Sequence, residues 1–281
     1  MSKILVVGAN GFVGYHLIDY LKKRHSVVGV DRVNTISLHP DITNIPITNI
    51  LELNKDFDYV FLLNASVVTS NNISDKDRDD LFTNNIVVTN FVCEHFANSR
   101  IVYCSSVSVY ASSQERINEH SALGEQNEYG ISKLWAEYVV KKSANHAIVR
   151  CSSIYGKGMS MRTILPIYII QALKEKKIKI WGDGLRCQDY INVCDVVKYL
   201  WLAAKSNLND TFLSVYNQSY SNVDIAKIIS KITNAEIVFE NDDNAPSFFY
   251  NNNYTQQQLS YSPNVDIESG IQSLVQWIKQ Y

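Results

Sequence analysis

The chain has 281 residues, 46% of them hydrophobic and 19% charged, with a formal net charge of −2. That length holds one large α/β domain or two modest lobes, with apolar residues enough for a sizeable core. The near-neutral balance and the lack of a basic block give a nucleic-acid partner no support, and the longest apolar runs, about six residues, are too short for a membrane span.

The N-terminus, MSKILVVGANG, goes directly into a strand and a glycine turn rather than a charged-then-apolar leader. Residues 4–7 are a β-branched and leucine run ended by Gly8. Residues 12–21 carry helical spacing, with Val13, Leu17, Ile18 and Leu21 on one side. Between them GANGFVG places glycines at 8, 11 and 14. Gly8 permits a tight turn, Gly11 lets backbone approach a pyrophosphate, and Gly14 lets the helix pack close to the sheet. The helix N-terminus offers unpaired N–H groups to phosphates. Residues 27–30 form the next strand, ending at Asp31, whose carboxylate suits an adenosine ribose. Asp31 favours NAD over NADP, because a 2′-phosphate would meet its charge. Arg32 pulls towards NADP.

The stretch from Asp31 to Phe57 is poorly patterned, and a short strand or loop with little helix is expected there. Residues 59–63 and 101–103 read as strands, with a helix over 85–97 between them. Residues 129–142 read as a helix and 147–150 as a strand. Continuous apolar strands alternating with helices indicate an α/β fold with a doubly wound parallel sheet covered on both faces. In the second half, 163–174, 224–233 and 269–279 read as helices, and 177–181 and 236–239 as short strands. They form a smaller lobe over the carboxyl edge of the sheet. The asparagine-rich stretch 241–253 reads as a surface loop. The five cysteines (Cys93, Cys104, Cys151, Cys187, Cys194) form no CxxC pair. They suit a reducing cytosol, with neither a disulfide framework nor a metal site.

Two stretches carry chemistry beyond the glycine turn. CSSVSVY puts hydroxyls at the carboxyl end of a central strand, where ligands bind in open α/β sheets. Tyr129 and Lys133, in EYGISK, are four residues apart on a helix and share a face. An ammonium beside a phenol favours the phenolate. Such a pair moves a proton at an oxygen while a nicotinamide moves a hydride, with the Ser106 hydroxyl holding that oxygen.

These motifs, in order, resemble the extended short-chain dehydrogenase/reductase family, also called the NAD-dependent epimerase/dehydratase family of nucleotide-sugar enzymes. GANGFVG resembles its glycine motif and Asp31 its ribose acid. VFLLNAS, NNIVVTN, CSSVSVY, YGISK, VRCSSIYG, IWGDGLRCQDYINVCDVV and LSYSPNVDIESGI resemble later segments of the family, nearly end to end. The resemblance implies a Rossmann domain over 1–160, with 185–217 returning to it, and a substrate lobe from 161–184 and 218–281. It implies Ser106, Tyr129 and Lys133 as catalytic, and a mainly structural Asn85. Cofactor contacts would come from Gly8, Asn10, Gly11, Phe12, Val13, Gly14, Asp31, Arg32, Asn64, Ala65, Tyr129 and Lys133. Ser106, Ser153, Arg162, Arg186 and Gln188 would face the substrate, a nucleotide-diphosphate sugar, in a cytoplasmic homodimer.

Departures from the family pattern narrow the reaction. The acidic pair that sugar dehydratases carry after this serine is replaced by Val107 and Ser108, and valine has no proton to give. The arginine expected before Asp189 is Gln188, which loses a charge-assisted contact to a diphosphate; Arg186 lies two residues earlier. A family glycine is replaced by Val88. The shortness of the chain favours a 4-keto-sugar reductase. An NDP-sugar 4-epimerase with tightly held NAD is the alternative. A non-catalytic NAD(P) sensor would bind cofactor yet turn over no nucleotide sugar.

Overall fold

The computed structural model describes residues 1–32, 38–68, 73–111, 115–124 and 127–280. Its strands are β1 (Lys3–Val7), β2 (Ser26–Asp31), β3 (Thr43–Pro46), β4 (Tyr59–Leu62), β5 (Arg100–Ser106), β6 (His146–Cys151), β7 (Ser153–Tyr155), β8 (Lys177–Trp181), β9 (Cys187–Asn192), β10 (Asp210–Ser214), β11 (Ser219–Ser221) and β12 (Glu236–Glu240). Its helices are α1 (Phe12–Leu21), α2 (Asp75–Asp80), α3 (Val88–His95), α4 (Glu128–Val140), α5 (Ile164–Lys174), α6 (Val193–Lys205), α7 (Asn222–Thr233), α8 (Asn253–Leu259) and α9 (Ile267–Ile278).

Seven strands form one sheet in the order β10-β6-β5-β4-β1-β2-β3, and every pairing in it is parallel. Alternate residues of a strand face opposite sides, and the buried clusters divide accordingly. Ile4 and Val6 join Phe61, Val102 and Val149 under α1 and α6. Leu5 and Val7 join Val60, Leu62, Ile101 and Ile148 under α3 and α4. With both faces covered, the strands are apolar on both sides, which is why they read as continuous runs rather than alternations. This is a Rossmann-type fold. The strand order reverses between β1 and β4, where ligand crevices open in such sheets.

A separate apolar cluster joins α5, β8, α7 and α9, through residues such as Ile169, Ile178, Ile229 and Leu274. It forms the core of the smaller lobe. Segment 193–214 belongs to the large sheet instead: α6 packs on it and β10 pairs with β6. Arg100 pins the far end of α6. Its guanidinium donates to Ala203 O (2.9 Å), Leu208 O (2.7 Å) and the side chain of Asn145. Among the described residues no helix is long and apolar enough to cross a membrane.

The structure revises several expectations. The 85–97 helix begins earlier, as a π-helical turn over Leu81–Val87 that leads into α3. Between Asp31 and Phe57 the chain makes β3 and then a 3₁₀ segment, Ile47–Glu52; residues 33–37 lie outside the described residues. The stretch 241–253 is not all surface loop. Asn252 is wholly buried and its amide donates to Val215 O (3.0 Å), Leu213 O (3.3 Å) and the Tyr199 hydroxyl (3.2 Å), and α8 starts at the next residue. An amide with three acceptors is content in a core, and composition alone does not reveal that.

Candidate active site

The glycine turn lies between β1 and α1. Gly8 has φ of +88°, and a Cβ there would come within 2.8 Å of the Leu63 and Asn64 backbone. A Cβ on Gly14 would lie 2.1 Å from Gly8 O. The turn and the close helix therefore both need glycine. Gly11 is the N-cap of α1 and provides no side-chain cap, so the first N–H groups of the helix, from Phe12 onward, stay open to a ligand. Asp31 ends β2, where its carboxylate accepts the N–H of Asn10 (2.7 Å) and of Arg32 (2.8 Å).

These residues border a cavity of about 360 Å³. Gly8, Asn10, Gly11, Asp31, Arg32, Asn64 and Ala65 line it, all named by the sequence. Asp77, Asp80, Asn84 and Val88 line it as well and were not named. Nothing in the sequence links the Asp75–Asp80 helix to the glycine turn; only the fold does. A glycine cradle, an open helix N-terminus and a ribose-side carboxylate fit a dinucleotide. Asp31, Asp77 and Asp80 together make the lining acidic, which opposes an extra phosphate near Arg32.

Ser106, Tyr129 and Lys133 are not in that lining. They gather at the carboxyl end of β5. Ser106 Oγ donates to Ser108 Oγ (3.1 Å) and accepts from Ser108 N–H (3.1 Å). The Ser106 hydroxyl also faces the Tyr129 phenol closely enough to favour its ionised form. Ser108 is thus a neighbour of the site that the Ser-x-Ser spacing of CSSVSVY could have revealed. Asn127 caps α4 by accepting Gly130 N–H (2.8 Å), which sets the turn that carries Tyr129. Gly130 lets α4 come close to the Ser108 carbonyl, since a Cβ would lie 2.3 Å from that oxygen. Asn85, wholly buried, joins the parts: its Oδ1 accepts Ser66 N–H (2.7 Å), and its Nδ2 donates to Ser132 Oγ (2.9 Å).

Lys133 is buried under the site. Its ammonium donates to Cys104 O (2.7 Å) and lies 4.3 Å from the centroid of the Tyr103 ring. Burial lowers its pKa, opposed by Cys104, Cys151 and Glu137. The Tyr129 phenol differs from expectation. Burial raises its pKa, Cys104 adds to the rise, and the neighbouring Ser106 hydroxyl opposes it. Lys133 shares a helix face with Tyr129 as the spacing requires, but its charge is spent on the Cys104 carbonyl and the Tyr103 ring. Desolvation therefore outweighs the expected lowering, and the resting tyrosine is protonated.

The remaining substrate-side residues are dispersed. Ser153 is exposed at the start of β7, and Arg162 is exposed ahead of α5. Gln188 lies on β9 and Arg186 immediately precedes it, half-buried beside Asp243.

Comparisons with known proteins agree with this architecture. The family model of the NAD dependent epimerase/dehydratase family matches residues 4–217. A dTDP-D-glucose 4,6-dehydratase of Dictyostelium discoideum is 27% identical over 83% of this chain and 62% of its own length. A putative UDP-glucose 4-epimerase of Methanocaldococcus jannaschii is 25% identical over 98% of each chain. The UDP-glucuronic acid 4-epimerase of Bacillus cereus, solved with UDP-glucuronic acid and NAD, superposes with a TM-score of 0.88 at 25% identity, covering 99% of each chain. A parallel sheet with a glycine turn at its reversal, a ribose-side carboxylate and a family match over three quarters of the length lead to one assignment: the chain belongs to the NAD-dependent epimerase/dehydratase family, with NAD as its cofactor.

Proposed function

We propose that the protein is a nucleotide-diphosphate-sugar 4-epimerase that retains its NAD, with Ser106, Tyr129 and Lys133 as its catalytic residues. The observation that carries this reading is the gathering of the Ser106 and Tyr129 hydroxyls at the β5 tip, with Val107 and Ser108 following the serine in sequence. Two hydroxyls can hold and exchange a proton with one sugar oxygen. Without a carboxylate at either following position, this strand supplies no acid for expelling water. The 4-epimerases among the similar proteins support epimerisation over the reductase that chain length alone favours.

NAD, when bound, would supply the acceptor and donor of a hydride at the sugar carbon, and its positive charge would favour the Tyr129 phenolate. Tyr129 removes the proton from the sugar hydroxyl and gives it back to the ketone oxygen. Ser106 holds that oxygen in both directions. Lys133 keeps a positive charge beneath the site and holds the β5 tip through the Cys104 carbonyl. Between the two transfers the sugar ketone must present its other face, so the substrate lobe has to tolerate both orientations.

Freshly purified protein, denatured and assayed by mass spectrometry, is expected to release close to one NAD per chain. It should also convert UDP-glucuronic acid or UDP-glucose to the 4-epimer with no added cofactor, followed by proton NMR. Turnover that consumes one NADH per product would establish the 4-keto-sugar reductase instead. Bound NAD with no turnover of any nucleotide sugar would establish the sensor.

A homodimer also belongs to this reading. α4 packs against the Leu81–Val87 turn, and together they expose Phe82, Val87, Ile131, Trp135 (58% exposed) and Tyr138 (63%). Residues 131, 135 and 138 form one stripe at helical spacing, and an apolar patch of this kind marks an interaction surface. Wild type is expected to sediment as a dimer and Trp135→Glu as a monomer in analytical ultracentrifugation. Identical sedimentation of the two would remove the stripe as the interface.

A further inference from the structure

In the smaller lobe, three buried polar donors have no hydrogen-bond partner among the described residues: Arg186 Nε, Gln188 Nε2 and the Tyr190 hydroxyl. They alternate along one extended segment. The antiparallel pairing of β11 with β9 reaches Cys187, and the Asn222 N–H donates to Arg186 O (3.0 Å), carrying the ladder one residue further. A period of two therefore puts the side chains of 186, 188 and 190 on one face. Asp189 takes the other face, where it accepts from Ser152 Oγ (2.6 Å) and Tyr216 N–H (2.9 Å).

The charge at the end of this row is poorly answered. Among the described residues the nearest carboxylate to Arg186 is Asp243, with Nη1 to Oδ2 at 3.7 Å, beyond hydrogen-bond reach. Asp243 in turn lies 3.5 Å from Asn222 Nδ2, and its backbone N–H sits 2.9 Å from where a Cβ on Gly182 would stand. The segment carrying Asp243 is thus seated against the β8–β9 turn, with its acid facing the guanidinium without bonding it. A buried donor left unmet costs stability, and three in a row, with a cation, call for an anion rich in acceptors. Neighbouring donors about 7 Å apart along the strand are better answered by two linked phosphates than by one.

We propose that Arg186, at the head of the Gln188 and Tyr190 row, carries the charge that meets the substrate's diphosphate, and that Asp243 is a resident counterion which the diphosphate displaces. This rests on the nucleotide-sugar reading above. The charge missing at position 188 is then moved two residues along the same face, and a like-charged competitor tunes its affinity. A diphosphate approaching Arg186 is repelled by Asp243 until the 241–249 segment gives way, so binding and movement of that segment are linked.

Isothermal titration of the NAD-loaded protein with UDP, and separately with inorganic pyrophosphate, tests this on wild type, Asp243→Asn, Arg186→Gln and the double variant. Asp243→Asn is expected to tighten UDP about three- to tenfold by removing the competing charge. Arg186→Gln should weaken it about ten- to a hundredfold. In the Arg186→Gln background, Asp243→Asn should give a much smaller gain than in wild type, since no counterion is then displaced and only direct repulsion is relieved. Arg186→Lys, which keeps the charge but not the fork, should fall between and serves if Arg186→Gln fails to fold. Unchanged or weaker UDP binding by Asp243→Asn overturns the proposal, as does the same gain in the double variant. Pyrophosphate binding that responds to both substitutions, with no response to UDP, keeps the anion site and removes the nucleotide-sugar reading. Binding of neither ligand to any variant overturns both.

Discussion

Tyr129→Phe is expected to lower kcat for 4-epimerisation about 10²- to 10⁴-fold, the range for loss of a positioned general acid–base, while NAD content and the unfolding midpoint stay close to wild type. The substitution removes one oxygen from a half-buried side chain at the head of α4. That oxygen faces the Ser106 hydroxyl, and desolvation keeps it protonated. The ring remains, so the packing of α4 against β5 is unaltered. Removing a half-buried hydroxyl that leaves no buried group unpaired is close to neutral for stability. Cofactor binding is untouched, yet only the Ser106 hydroxyl is left beside the sugar oxygen, and a serine hydroxyl is a far weaker acid and base than a phenol. Kinetics on UDP-glucuronic acid, with bound NAD measured in parallel, check this. Full activity in the phenylalanine variant would remove Tyr129 from the chemistry. Joint loss of NAD and of thermal stability would make it a packing residue.

The largest effect on stability is expected from Arg150→Met, about 3–5 kcal/mol of unfolding free energy, the usual cost of leaving one partner of a buried pair uncompensated. Arg150 on β6 and Glu137 on α4 form a two-pronged pair, with Nη2 to Oε2 at 2.7 Å and Nε to Oε1 at 2.9 Å, both side chains at most 3% exposed. Burial by itself would push the guanidinium pKa down; the Glu137 bonds outweigh it and hold the charge. Ser105 Oγ donates to the same Glu137 oxygen (2.6 Å), and the Tyr110 ring lies 4.7 Å from the guanidinium carbon. The network therefore joins β5, β6 and α4 directly behind the strand tip and helix that carry Ser106, Tyr129 and Lys133. Urea unfolding at neutral pH should show the loss. The Arg150→Met, Glu137→Leu double variant should recover much of it, because no buried charge is then left unpaired. A single variant within about 1 kcal/mol of wild type would show that water reaches the pair.

The sequence shows the large sheet well and the smaller lobe unevenly, for one physical reason. β1, β2, β4, β5 and β6 are buried on both faces, so each is a short unbroken apolar run that local inspection can find. By contrast β7, β9 and β11 carry polar residues with specific partners, such as Ser152 on Asp189 and Ser219 on the Phe248 carbonyl, and their pattern is local to no period. Helix α6 has a local start signal, with the Asn192 side chain accepting Cys194 N–H (3.0 Å), and an apolar face at helical spacing. The Asp75–Asp80 helix has no apolar face at all; a capping box between Ser74 and Asp77 starts it.

By itself the sequence determined the α/β class, the glycine turn, the ribose-side acid, the strand-end serine and the tyrosine–lysine spacing on one helix. Each depends on contacts within a few residues or on spacing along one helix, and such relations are written locally. The tertiary structure alone decided that burial raises the Tyr129 pKa while Lys133 serves the Cys104 carbonyl. It also decided that Asp77 and Asp80 border the cofactor cavity, and that Asp243 stands opposite Arg186 across 57 residues of chain. Those facts depend on desolvation and on encounters between distant segments, and both come into being only when the chain closes on itself.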